Sequence, residues 1–219
     1  MTTPQQVLTD IRNQANEQSA AFWNNNELYS YMWTAEKKIV SLIGGIDSTD
    51  TSITSVSGTQ EYTIPTTTRT IQKAEWDSVK LKKINVTRDL NSIDWVGYGG
   101  SQTTGNPTHY YQWGRNIGLW PIPTSAETLK LWTSENAAEI TRSSTAFTVD
   151  LIFHDIIPDY CLFRMYMKDK DNENAAFHRN FWDQGLSSTM TEWKMTRDND
   201  MNSVVVDQDF YEGDILGIV

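Results

Sequence analysis

The chain reads as an α+β protein with a helical body, a large inserted antiparallel β region and an extended C-terminal tail. Three observations predict this. Apolar residues recur at three- and four-residue steps near both ends, which gives two N-terminal and two C-terminal helices. The middle is rich in Thr, Ser and β-branched residues, in short runs punctuated by glycine and proline. The last stretch alternates apolar and acidic residues with no visible domain of its own. The predicted organisation is residues 1–46 and 153–200 as the helical body, 47–152 as the inserted β region, and 201–219 as a docking arm.

Thr3-Pro4 starts the first helix, with Thr3 as cap and proline in the first turn, and Val7, Leu8 and Ile11 form its stripe. Asn24 to Asn26 cap the second, which carries Leu28, Met32, Ala35, Ile39 and Leu42 on one face and stops at Gly44-Gly45. Tyr31 and Trp33 lie off that face. Residues 47–70 read as a hairpin, with β patterns at 52–56 and 60–64. Ile71 to Trp76 and Val79 to Val86 read as two strands joined by Asp77-Ser78. A brief helix is predicted from Arg88 to Asp94 and a mobile glycine-rich loop from Gly97 to Pro107.

His109, Tyr110, Tyr111 and Trp113 then form an aromatic strand. A Gly-Arg-Asn turn leads to the strand of Ile117, Leu119 and Trp120. Proline fixes its own backbone and extends its predecessor, so Trp120-Pro121-Ile122-Pro123 should end a strand and re-aim the chain. Strands follow at 128–133 and 145–152. The two C-terminal helices are predicted from Ile156 to about Lys168 and from Asn174 to about Arg197. The short polar link between them implies an antiparallel pair.

Hydrophobic residues make up 38% of the 219-residue chain and mean hydropathy is -0.51, yet it holds nine Trp and nine Tyr. Large rings therefore supply much of the buriable area, and each stands equally as core or as interface. The formal net charge of -10 argues against independent nucleic-acid binding, which needs Lys and Arg to replace counterions. It is compatible with a wall that DNA passes without sticking. The single cysteine, Cys161, sits in an apolar run and reads as a buried thiol. No apolar run approaches a membrane span and no leader is apparent, so a soluble product made in a reducing cytoplasm is expected.

No catalytic signature is present: His109, His154 and His178 are scattered, and no zinc, nucleophile-elbow or paired-cysteine motif occurs. The glycine-rich loop lacks the Lys-Ser or Lys-Thr of a phosphate loop. Asp198 to Asp209 keeps the early oxygens of a calcium loop. It has Ser203 where that loop needs glycine and Asp209 where it needs a bidentate Glu. No enzyme activity, cofactor or metal is expected.

The order of hairpin, Leu-Trp-Pro-Ile-Pro exit, return strand and two C-terminal helices, with the helix WNNNELYSYMWTAEKKI at Trp23 to Ile39, resembles the head–tail adaptor (connector) proteins of tailed bacteriophages. The resemblance implies a structural protein of the virion neck, made in the host bacterium. It would form a ring of twelve copies between the portal protein and the nozzle or tail-tube proteins, traversed by DNA without specific binding. The large β insertion departs from the smallest adaptors. A second reading is an aromatic-rich β module of a tail fibre or spike that binds carbohydrate or protein. The candidate interface residues are Tyr31 and Trp33; Trp113, Trp120, Pro121 and Pro123 of the hairpin and its exit; and Val204, Val206, Phe210, Tyr211, Ile215, Leu216 and Ile218 of the tail.

Overall fold

The computed structural model describes residues 3–17, 22–85 and 103–202, with side chains to 197. The expected helix at 88–94, most of the glycine-rich loop, the calcium-like segment and the tail lie outside the described residues or side chains. The chain forms two compact units, residues 1–32 with 150–219, and residues 33–149.

In the first unit, α1 (Pro4–Gln14) opens with a capping box. Thr3 accepts from the Gln6 amide at 3.2 Å, and the Gln6 side chain accepts from the Thr3 amide at 2.8 Å. Its last turn is tied to the start of α2 (Asn25–Ile43) by a buried arginine. Arg12 donates to the Trp23 carbonyl at 2.8 Å and to Asn25 Oδ1 at 2.6 Å, and pairs with Glu17 at 3.2 Å. A 3-10 turn (Leu151–Ile156) leads into α3 (Ile157–Asp169), whose start carries Pro158 in the first turn. Lys170, at φ 61°, reverses the chain into α4 (Asn172–Asn202). The two helices run antiparallel. Tyr166 stacks on His178, Tyr160 meets Trp182 at 5.0 Å, Gly185 faces Ile156, and Trp193 donates to Asp150 at 3.1 Å. Contacts that recede in one helix as they advance in the other permit no parallel arrangement.

The second unit holds a seven-stranded sheet in the order β1-β9-β3-β4-β6-β7-β2. Its strands are β1 (Ile46–Asp50), β2 (Glu61–Thr63), β3 (Thr68–Trp76), β4 (Val79–Lys83), β6 (His109–Trp113), β7 (Asn116–Trp120) and β9 (Leu129–Glu135). Two short strands, β5 (Thr104–Gly105) and β8 (Ile122–Pro123), pair separately. Asp77 and Ser78, at φ 48° and 63°, supply the doubly left-handed turn that a two-residue hairpin needs between β3 and β4. Ile71, Ala74, Trp76, Leu81, Tyr110, Ile117, Leu119, Leu129 and Leu131 all bury into one core, so both halves of the sheet face it. Tyr110 donates across it to the Gln72 carbonyl at 3.1 Å, and the Trp76 indole donates to Ser55 at 2.9 Å.

Several expectations change. The sheet is mixed, because β4 and β6 pair in parallel through Lys82–His109 and Lys83–Tyr110. A parallel pair requires a crossover of a dozen or more residues, and the stretch between β4 and β6 is long enough for one. Part of the expected glycine-rich loop is β5, which pairs with Ile122 and Pro123; proline does leave the main sheet, but into this second ladder. Residues 52–56 contribute only a bridge at Thr54. Residues 145–150 form no strand. The Thr148 and Val149 amides and the Thr148 hydroxyl donate instead to buried Glu36, which replaces a ladder with a side chain. Leu42 is exposed and Val40 is buried, because α2 ends at Ile43 and Gly44-Gly45 turns the chain away.

Candidate interface surfaces

The β6–β7 hairpin is held from three sides. Gly114 takes φ 58° at its tip. Arg115, just beyond, donates to the carbonyls of Ile64, Pro65, Thr66 and Thr68, and so fastens the tip to the segment before β3. Tyr111 lies across Gly118 and donates to Glu61 at 2.7 Å; a Cβ on Gly118 would overlap its ring. Burial and the Glu61 carboxylate both push the Tyr111 hydroxyl up, so it stays a neutral donor. This framework leaves Trp113 59% exposed at the tip. An exposed indole on a rigid support contacts a partner with little loss of conformational entropy.

The other sequence candidates fall differently. Trp120 is half-buried beside His109, with ring centroids 5.7 Å apart. Its peptide bond to Pro121 is cis, Pro121 is half-buried, and Pro123 is buried in β8. Trp33 is half-buried under Lys37, whose ammonium sits 3.8 Å from the ring. Tyr31 is half-buried and donates to Glu27 at 2.7 Å. Burial first, then the Glu27 carboxylate, pushes the Tyr31 hydroxyl up to about 12. Glu27 also accepts from Lys168 at 2.7 Å, and that bond holds its carboxyl below the usual range. The structure thus keeps Trp113 open and builds Tyr31 and Trp33 into local networks. The tail candidates Val204, Val206, Phe210, Tyr211, Ile215, Leu216 and Ile218 lie outside the described residues.

Two surfaces were not singled out in the sequence. The first is α4. It is 31 residues long, yet among its described side chains only Ala175 and Trp182 are buried. Phe177 and Phe181, one turn apart, meet edge-on at 4.6 Å while remaining 55% and 49% exposed. Two apolar rings four residues apart in a polar helix are the signal that points to them. The second surface is the outward face of β9, β3 and β4. Register places Lys130, Glu75 and Lys80 in one row, and Lys73 with Trp132 in the next. Lys82 lies two residues beyond Lys80. All four lysines are exposed.

The charge is divided by unit. Residues 33–149 hold eleven basic and eleven acidic residues, whereas the rest of the chain holds seven against seventeen, the whole of the -10. A cleft of about 280 Å³ in the first unit is lined by Val7, Asp10, Asn13, Gln14, His154, Asp155 and Pro158, without a hydroxyl, thiol or amine side chain. Burial pushes the Cys161 thiol up, away from the thiolate that nucleophilic chemistry needs. Among the described residues no three of His, Cys, Asp and Glu gather to hold a metal, and no helix is long and apolar enough to cross a membrane.

No curated protein matches the chain. The model of the family described as SU10 adaptor protein matches residues 2–207, which takes in both units and the start of the tail. With the match running through almost all of the sequence, the chain belongs to the SU10 adaptor family of bacteriophage head–tail adaptors, structural proteins of the virion.

Proposed function

We propose that copies of this protein form a ring in the virion neck that joins the portal to the tail and lets DNA pass. Family membership carries the adaptor role and, with it, interaction with portal and tail components; such a role is structural rather than catalytic. The ring is supported by surfaces that the described residues leave exposed, namely Phe177 and Phe181 on a helix with two buried side chains among those described, and Trp113 on a clamped hairpin. Exposed aromatic groups of this kind suit interface cores. A copy number of twelve follows from the resemblance to other adaptors. The overall negative charge suits a passage from which DNA is repelled. Trp113, Trp120 and Pro121 belong in this reading to a stiff element that meets a tail component or an adjacent copy. Tyr31 and Trp33 stiffen α2 behind such a contact. The segment 203–219 acts as an arm that fastens the ring.

Electron microscopy of portal complexes mixed with the full-length protein tests the reading. A closed ring on the portal is expected. A single bound copy, or a trimer at a fibre tip, would overturn it.

A further inference from the structure

We infer that the lysine-rich outer face of β9, β3 and β4 is the docking site for the C-terminal segment 203–219 of a neighbouring copy. The inference rests on the ring reading above and assigns it a surface.

The face is built by register. Cross-strand partners share a side of a sheet, and residues two apart along a strand return to the same side. Glu75 pairs with Lys130 on one side and with Lys80 on the other, Lys73 pairs with Trp132, and Lys82 follows Lys80 on β4. The opposite side carries Ala74, Leu81, Leu129 and Leu131, which are buried in the core, so the lysines point outward. Lys130 lies 4.7 Å from the Trp132 ring, and no ion pair among the described residues joins any of the four lysines to a carboxylate. Four ammonium groups thus surround one carboxylate, Glu75, on a unit whose total charge is balanced. That concentration is local excess, and it calls for an anion.

The segment 203–219 supplies one of matching chemistry. It carries Asp207, Asp209, Glu212 and Asp214 with no Lys or Arg, and it interleaves them with Val206, Phe210, Tyr211 and Ile215. In an extended chain, residues two apart lie on one side about 7 Å apart. Asp207 and Asp209 then repeat at the spacing of Lys80 and Lys82 along β4. On the same side of such a chain, Tyr211 and Ile215 have the Trp132 ring to pack on. At roughly 3.3 Å per residue the segment reaches about 55 Å, several times the width of three adjacent strands. A duplex is the less suited occupant: Glu75 interrupts the lysine row, and the chain's -10 opposes a polyanion of unlimited length. A face on each copy and an arm from the next make a heterologous contact, the kind that closes into a ring.

The test uses the full chain. Protein labelled with nitrogen-15 is mixed in equal amounts with unlabelled protein, assembled with portal, treated with a zero-length carbodiimide crosslinker and digested for mass spectrometry. Crosslinks from Lys73, Lys80, Lys82 and Lys130 to the four tail carboxylates are expected, about half of them joining labelled to unlabelled peptides. The quadruple change K73E/K80E/K82E/K130E should weaken assembly by at least ~10-fold, in a salt-dependent manner. Adding D207K/D209K/E212K/D214K should restore it; that rescue cannot come from an unfolded sheet. Crosslinks confined to one isotope would overturn the inference, because the arm would then bind its own chain. Normal rings from the quadruple lysine variant would also overturn it and leave the ring reading standing. Mixed-isotope crosslinks without closed rings would overturn the ring reading and leave the docking standing. Duplex DNA bound by the native chain and lost in the lysine variant, with no tail crosslinks, would assign the face to nucleic acid instead.

Discussion

The two units solve different problems with the same chain. Residues 33–149 bury apolar side chains from both halves of the sheet into one core and balance their charges. The helical unit carries all of the net charge and includes a 31-residue helix with two buried side chains among those described. A helix that buries so little of itself gains little from its own chain, since most helical stability in proteins comes from packing an apolar face. Its exposed Phe177 and Phe181 fit the contact with other virion components proposed above, whereas the buried rings of the sheet are explained by the sheet. The lesson is that an aromatic surplus is not one quantity. Buried rings such as Trp76 and Tyr160 make the fold of each unit, and exposed ones such as Phe177, Phe181 and Trp113 are, in the proposed reading, kept for assembly.

The sharpest way to break this contrast is paired substitution. Trp76 is buried and bonded to Ser55, so Trp76→Ala should cost about 3–5 kcal/mol and lower the melting temperature by many degrees. The double change Phe177→Ser and Phe181→Ser should leave melting nearly unchanged and abolish attachment to portal complexes. Thermal melts and pull-down of the two variants side by side check it. Equal destabilisation by both would erase the distinction drawn between the units.

A smaller effect is expected within the hairpin. Gly118→Val drives a side chain into the Tyr111 ring and should cost ~1–3 kcal/mol by overpacking. Arg115→Ala leaves the carbonyls of Ile64, Pro65, Thr66 and Thr68 without their common donor and should cost ~1–2 kcal/mol, with the tip loosened rather than the sheet unfolded. Denaturant midpoints rank the two. Trp113→Ala, at the same tip, should change the midpoint by less than ~0.5 kcal/mol and show only in docking to tail components.

How much of this was legible in the sequence follows from how local each signal is. The helix starts were readable because caps are local: Thr3 with Pro4, and Pro158 after the Ile156-Ile157 run, sit where the structure uses them. Asp77-Ser78 marked its hairpin for the same reason. The strand predicted at 145–152 failed because its backbone donors at Thr148 and Val149 are satisfied by Glu36, a residue more than a hundred positions away, which no window of sequence contains. The parallel β4–β6 pair was missed likewise, since alternation reports a strand but not its neighbour. For the surfaces, Trp113 was visible as the last aromatic of its strand, next to the Gly-Arg-Asn turn. The lysine face was not, because it needs the register of three strands. Pro123 read as part of a projecting exit and is buried, because the pairing of β8 with β5 draws on a loop whose strand content glycine conceals.

The smallest effect concerns pH and belongs to the helical unit alone. Glu27 accepts from both Lys168 and Tyr31, which makes it the centre of a three-residue network. Its carboxyl is held low, chiefly by the Lys168 bond, so the network stabilises the fold above the ordinary carboxylate value and loses that contribution as pH falls. Tyr31 has the opposite sense. Its hydroxyl is raised to about 12, so its contribution is complete below about 10, the value for a free tyrosine, and is lost as pH rises between the two. Glu27→Gln should therefore flatten the acid limb of the stability profile and bring the Tyr31 titration back toward 10. Tyr31→Phe should remove one late-titrating hydroxyl from an ultraviolet alkaline titration, with that of Tyr111 remaining, and leave the acid limb almost intact. Loss of the acid limb in Tyr31→Phe would mean that Tyr31, rather than Lys168, is what holds the Glu27 carboxyl low.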